Sequence, residues 1–344
     1  MPIMEEVVPG RSERFRMVAV DMDGTLLRPD GTLSDRTVTT LRDIHARGTT
    51  VCVASGRPSN TIRRYATQLG IGPLPVVCFN GACAMLLDGG VGAVGDGRTG
   101  TSTVTVTMNG SVAKTRAGGG GDDVWFAETL DASVVTAVLA VAAELDLPVQ
   151  YCLPDRSLTA PVGAQQLKLV AGFDELVGPE GWSEKVPSLA PAAADATNWP
   201  GPLPAPLKLI IITGSQSRAD EVAAHARRTL PPDTCHIIAA EVHVEFLMPG
   251  LNKARGLQVV CDALGVPLDQ VVAFGDANND VEMLMSCGMS YAMPNGREKA
   301  LRAARRRCQF TNAEDGVAVE LEALVAEGAL VGELAEVSAG VPAR

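Results

Sequence analysis

The run VAVDMDGTLL at residues 18–27 constrains this chain more than any other stretch. Met17, Val18, Ala19 and Val20 make an uninterrupted apolar segment, the pattern of a strand buried on both faces of a parallel sheet. The segment delivers Asp21 and Asp23 into a turn at Gly24. Side chains two apart on extended backbone point the same way, so both aspartates can face one ligand. In open α/β sheets, ligands bind beyond the carboxyl ends of the strands, where these acids stand. Two carboxylates on one site repel, and one titrates high unless a cation intervenes. The pair therefore suits a bound divalent cation, or a division into nucleophile and acid/base. An Asp-Gly turn closing an ordinary strand is the plainer alternative.

The chain then alternates. A helix is expected from Ser34 or Asp35 to the stop at Gly48, a strand over 49–54, and a helix from Pro58 to Gly70. A third strand over 75–79 completes βαβ units of a parallel sheet. From Ala84 the pattern changes. Glycine-rich loops at 89–101 and 117–123 flank a Thr/Val hairpin turning at Asn109-Gly110. A helix follows over 132–145, then short strands at 149–153 and 166–171, a Pro/Ala-rich stretch at 178–206, a strand at 207–213 and a helix at 217–230. Runs 235–240 and 243–248 read as an antiparallel pair. The α/β pattern resumes with a helix at 252–264, a strand at 270–274, a helix at 281–285, a strand at 288–293, a basic helix at 297–307, and a last strand (308–310) and helix (314–326). The expected architecture is α/β: a Rossmann-like parallel-sheet core from 1–83 and 245–330, an inserted α+β cap over 84–244, and a loose tail at 331–344.

Composition narrows the function. A net charge of -11 disfavours nucleic acid or an anionic membrane surface as partner. No apolar run approaches the ~18 residues of a membrane span, and the first residues carry acids without an apolar signal core, so a cytoplasmic protein is expected. The eight cysteines form no C-x-x-C pair and mostly lie in apolar runs, as buried free thiols do.

Polar clusters recur at the ends of the strand-type runs: Asp21 with Asp23, Ser55, Lys253, and Asp276 with Asp280. Together they supply carboxylates, a hydroxyl and a cation, the groups that hydrolysis of a phosphate monoester requires. Its dianion repels an attacking carboxylate, so cations must neutralise charge and donors must hold the equatorial oxygens. Structural roles compete: Ser55 suits a helix cap, Asp276 and Asp280 suit a helix N-terminus, and Asn80 suits an Asn-Gly turn. Lys253 near a helix start opposes the dipole, which favours a functional role for it.

In DMDGTLL at Asp21, ASGRP at Ala54, LNK at Leu251 and GDANND at Gly275, the chain resembles the haloacid dehalogenase superfamily, specifically its Cof-type, class IIB phosphatases. FNGA at Phe79, YAMPNG at Tyr291 and TNAEDGVA at Thr311 are secondary echoes. The resemblance implies Asp21 as nucleophile, forming an aspartyl-phosphate, and Asp23 as general acid and then base. It implies Ser55, Gly56, Lys253 and Asn279 as phosphate-binding groups, and Arg57 and Asn80 as substrate neighbours. Mg²⁺ is the implied cofactor, held by Asp21, the Asp23 carbonyl, Asp276 and Asp280, a hard-oxygen set. One departure is Ala254, where family members carry glycine after the lysine. The expected activity is Mg²⁺-dependent hydrolysis of small phosphorylated metabolites, sugar phosphates first, by a monomer or homodimer. The alternatives are a phosphomannomutase-like phosphosugar mutase and a non-catalytic binding protein on the same scaffold.

Overall fold

The computed structural model describes residues 15–88, 122–177, 183–189 and 203–330. The expected loop at 89–101, the 103–116 hairpin, most of the 178–206 stretch and the 331–344 tail lie outside them. In chain order the first elements are β1 (Met17–Val20), α1 (Asp35–Ala46), β2 (Thr50–Ala54), α2 (Ser59–Leu69), β3 (Leu74–Cys78), β4 (Cys83–Leu87) and β5 (Asp123–Ala127). Next come α3 (Ala132–Glu144), β6 (Val149–Cys152), β7 (Ser157–Thr159), α4 (Gly163–Val177), β8 (Glu184–Lys185), β9 (Lys208–Ile212) and α5 (Gln216–Thr229). The last are β10 (His236–Ala239), β11 (His243–Leu247), α6 (Lys253–Leu264), β12 (Val271–Gly275), α7 (Val281–Ser286), β13 (Met289–Ala292), α8 (Glu298–Ala303), β14 (Arg306–Arg307) and α9 (Gly316–Ala326). Two compact units divide the chain at Val53/Ala54 and at Ala263/Leu264.

The first unit, from the two ends of the chain, is an α/β layer. Its strands run in the order β14-β13-β12-β1-β2, every pairing parallel. β1 sits between β12 and β2 with Val18 aligned to Val272 and Val51, and all four β1 residues are fully buried. That burial on both faces is why the strand reads as a continuous apolar run rather than an alternating one. Ser34 caps α1 by accepting from the Thr37 N–H, as its position suggests.

The second unit holds an antiparallel meander and a six-stranded sheet. β3, β4 and β5 form an antiparallel meander, with α2 ending on Gly70 in the left-handed region at φ 60°. The six-stranded sheet runs β10-β11-β9-β6-β7-β8, antiparallel except between β7 and β8. One face of it, with Tyr151, Leu209, Ile211, Val244 and Phe246, packs on Val134, Val138 and Val141 of α3 and Ala219, Val222 and Ala226 of α5. This is the expected α+β arrangement.

Three local expectations fail. Residues 166–171 lie in α4, not in a strand: Gln166, Val170 and Phe173 are buried at helical spacing while Leu167 is 43% exposed, so the Leu167/Leu169 alternation misleads. The basic helix stops at Ala303, because Ala304 turns extended and Arg306 and Arg307 pair with Tyr291 and Ala292 as an edge strand. That strand stands in place of the one expected at 308–310. β4 and β5 were not anticipated from the sequence; each is a five-residue run whose type only its pairing decides. Among the described residues, no helix is long and apolar enough to cross a membrane.

Candidate active site

The first unit gathers the acids. Asp21 follows β1, its N–H bonded to the Phe274 carbonyl at 3.0 Å. Asp276 follows β12, and Asp280 ends the short turn Asn278–Asp280. Carboxylate oxygens of Asp21, Asp276 and Asp280 all lie within 4.8 Å of one another. Asp21 and Asp280 are buried, and Asp276 is half-buried. Like charges brought this close demand compensation, and an all-carboxylate oxygen set of this size fits a hard divalent cation. Asp23 is exposed, and its carboxylate lies outside the trio.

The loop carrying Asp23 is a wide turn. Leu26 N–H bonds the Asp21 carbonyl at 3.1 Å and Leu27 N–H the Met22 carbonyl at 2.8 Å. Gly24 stands at φ +81°, and a Cβ there would come within 2.5 Å of Asp276 Oδ2. Only glycine allows both the backbone turn and the close approach of the carboxylate. Thr25 Oγ1 donates to Asp276 Oδ1 at 3.0 Å, orienting one carboxylate of the trio. Asp280 Oδ2 accepts from the N–H groups of Asp276 and Ala277, at 3.0 and 2.8 Å. Asp280 thus folds the loop that presents Asp276, beyond serving as a helix N-terminal acid. Asn279 is exposed on the same turn.

The second unit gathers the donors. Ser55 is buried, and its Oγ accepts from the Arg57 N–H at 3.1 Å. Helix α2 begins only at Ser59, so Ser55 does not cap it. Asn80, in the left-handed region at φ 55°, donates its N–H to the Ser55 carbonyl at 3.1 Å. A Cβ on Gly56 would meet the Asn80 side chain at 3.0 Å. Gly81, at φ +99°, lies so close to Asn252 that a Cβ would stand 2.0 Å from the Asn252 carbonyl oxygen. That carbonyl precedes Lys253, the first residue of α6, which is fully buried. A fully buried lysine is rare unless it has a task or a partner. Ala254 sits half-buried in the first turn of α6, which forms without the family's glycine. Arg57 lies half-buried, its guanidinium 5.6 Å from the Tyr65 ring centre.

Within the second unit Ser55, Gly56 and Asn80 thus meet, with the Lys253 helix start against Gly81; within the first, Asp21, Asp276 and Asp280 meet. Thr25, Asn295 and Asn312 carry site contacts that the sequence reading did not assign. The last two lie in YAMPNG and TNAEDGVA, where the signal was visible but its purpose was not.

The sequence profile of the haloacid dehalogenase-like hydrolases matches residues 18–89 and 97–321. The chain is 30% identical over 310 residues to the 5-amino-6-(5-phospho-D-ribitylamino)uracil phosphatase YitU of Bacillus subtilis, covering 88% of this chain and 94% of the relative. It is 27% identical over 296 residues to the HMP-PP phosphatase of Cronobacter sakazakii, covering 83% and 86%. A haloacid dehalogenase-like hydrolase from Bacteroides thetaiotaomicron has the same fold, with a TM-score of 0.67 at 22% identity over 90% of this chain and all of that one. Fold and relatives together define the class, a phosphoric monoester hydrolase built on an α/β core. The chain belongs to the haloacid dehalogenase-like hydrolases, in their Cof-type branch.

Proposed function

We propose that this enzyme removes phosphate from a small metabolite whose phosphate sits on a sugar or polyol chain, using Mg²⁺ and an aspartyl-phosphate on Asp21. The observation that carries the reading is the carboxylate trio of Asp21, Asp276 and Asp280 at the ends of β1 and β12. Mg²⁺ there would neutralise the charge of the phosphoryl group, and Asp21, Asp276, Asp280 and the Asp23 carbonyl would hold it.

Asp21 attacks phosphorus, and the bond to the leaving oxygen breaks as Asp23 gives that oxygen a proton. Asp23 then takes a proton from water as the water attacks the phosphoenzyme, returning Asp21 and releasing phosphate. Ser55, the Gly56 amide, Lys253 and Asn279 hold the equatorial oxygens. Arg57 and Asn80 stand beside the leaving group, and the inserted 84–244 segment selects it. The ribityl phosphate in the relative's name extends the sugar-phosphate expectation to polyol phosphates.

The test is phosphate release with and without Mg²⁺ from a panel of hexose, pentose and polyol phosphates that includes 5-amino-6-(5-phospho-D-ribitylamino)uracil. Metal-dependent release that Asp21→Asn abolishes supports the reading. Full turnover by folded Asp21→Asn protein refutes the nucleophile, and an isomeric phosphosugar in place of free phosphate would make the enzyme a mutase.

A further inference from the structure

Asn295, exposed in the turn after β13, donates from Nδ2 to the Gly24 carbonyl at 2.8 Å, a contact spanning 271 positions of sequence. Its Oδ1 accepts from the Asn312 N–H at 3.3 Å. A backbone N–H can only donate, so that bond turns the Asn295 oxygen toward residue 312 and its NH₂ toward Gly24. Asn312 is itself buried and pinned, its Nδ2 donating to the Leu27 carbonyl at 2.7 Å. Beside it, Asp315 accepts three bonds from the Arg28 guanidinium, at 3.1, 3.0 and 2.9 Å. Residue 24 is therefore tied to the 295 turn, and residues 27 and 28 to the 311–316 turn, while Asp23 is an exposed residue one position before the first tie.

The bond at the Gly24 carbonyl matters most. It fixes the orientation of the peptide after Gly24, whose left-handed φ of +81° and ψ of -6° set the direction in which the chain leaves Asp23. Without the tie, the turn rests on the Leu26 and Leu27 N–H bonds and on Thr25. Glycine, lacking a Cβ, leaves the left-handed region more readily than any other residue, taking the Asp23 carboxylate with it.

We propose that Asn295 is a positioning residue for the Asp23 acid/base, acting through the Gly24 peptide and anchored by Asn312. This rests on the phosphatase reading above. Geometric control of this kind is expressed in the proton-transfer step. Loss of Asn295 therefore penalises substrates in proportion to their need for a proton on the leaving oxygen. An alkyl phosphate leaves as a strongly basic alkoxide and needs that proton; p-nitrophenyl phosphate leaves as a stable phenolate and does not.

The experiment compares wild type, Asn295→Ala and Asn295→Asp in kcat/KM on both substrates. Asn295→Asp keeps the acceptor for the Asn312 N–H and loses the donor to Gly24. In both variants kcat/KM falls about tenfold on the alkyl phosphate and no more than about twofold on the aryl phosphate, one hydrogen bond's worth of alignment. Equal losses on the two substrates, or none, overturn the proposal. Backbone amide exchange over residues 22–27 reads the tie without activity: it quickens in both variants, and an unchanged pattern overturns the proposal. Absence of turnover by wild-type protein counts instead against the phosphatase reading, leaving exchange to decide the tie.

Discussion

The carboxylate of Asp280 accepts the backbone N–H of Asp276 at 3.0 Å, so one acid of the trio shapes the loop that presents another. A second bond, from the Ala277 N–H at 2.8 Å, goes to the same oxygen. Shape and charge separate by mutation. Asn in place of Asp280 offers a carbonyl oxygen for both N–H groups and removes the charge. Asp280→Asn should keep its melting temperature within a few degrees and raise the Mg²⁺ needed for half-maximal activity about 10- to 100-fold. Asp280→Ala should lose metal response and about 1–3 kcal/mol of stability together, since two half-buried donors lose a charged acceptor. Metal titrations of activity beside thermal melts check this, and an unaltered Mg²⁺ response in Asp280→Asn would remove Asp280 from the proposed metal site.

The contact between Gly81 and Asn252 predicts a sharper failure. Both the positive φ and a Cβ 2.0 Å from a backbone oxygen forbid a side chain there. Gly81→Ala must displace the turn before Lys253 or unwind the corner holding Asn80. The expected result is a loss of more than 10-fold in kcat/KM with a destabilisation of about 2 kcal/mol or more. Wild-type kinetics in that variant would mean that the start of α6 does not bear on catalysis.

Cysteine chemistry gives an activity-independent check on the core. Seven of the eight thiols are buried and none forms a disulfide, while Cys235 is half-buried. Burial pushes the Cys83, Cys261 and Cys308 thiols up to about 12 and Cys152 to about 11. Reaction requires the thiolate and access to it. Native protein at pH 8 should therefore titrate at most one thiol with a disulfide reagent in minutes, and all eight after denaturation. Rapid native reaction of several thiols would contradict this packing.

How much of this was legible in the sequence depended on whether the signal was local. β1 and its aspartates could be read because a doubly buried strand writes its environment into consecutive residues. The Ser34 cap and the Gly70 stop could be read because cap chemistry acts within one turn. α4 escapes the periodicity because two exposed or half-exposed leucines alternate on its outer side, and periodicity cannot say which side is inside. The sequence also grouped Ser55 with helix caps, although its bond goes to Arg57, two residues short of the helix. Asn295 and Asn312 were visible as motifs without roles, because their partners lie 271 and 285 positions away and only folding brings them together.

The buried ion pair of the second unit makes the last prediction. Lys208 of β9 and Glu245 of β11 meet at 2.8 Å, with His243 at 3.4 Å from the same carboxylate oxygen and the Phe79 ring 5.6 Å from the ammonium. Desolvation pushes the Glu245 carboxyl up, but Lys208 and His243 outweigh it and hold the group at about 2, against an ordinary 4.5. Desolvation likewise opposes the Lys208 charge, and Glu245 more than restores it. A carboxyl depressed on folding contributes stability above its unfolded pKa and loses that contribution as pH falls toward the folded value. Wild-type protein should therefore lose this contribution between about pH 4.5 and about pH 2. Glu245→Gln leaves a buried ammonium without its counter-charge, costing about 3–5 kcal/mol near neutrality. Its melting temperature should lie well below wild type at pH 7, with the gap closing as pH falls through that window. Replacing both partners, Lys208→Met with Glu245→Leu, should recover most of the loss, because an apolar pair needs no desolvated charge. Thermal melts of the three proteins from pH 2 to 8 decide it, and a gap that stayed constant with pH would show that the carboxylate charge does not hold this face of the sheet together.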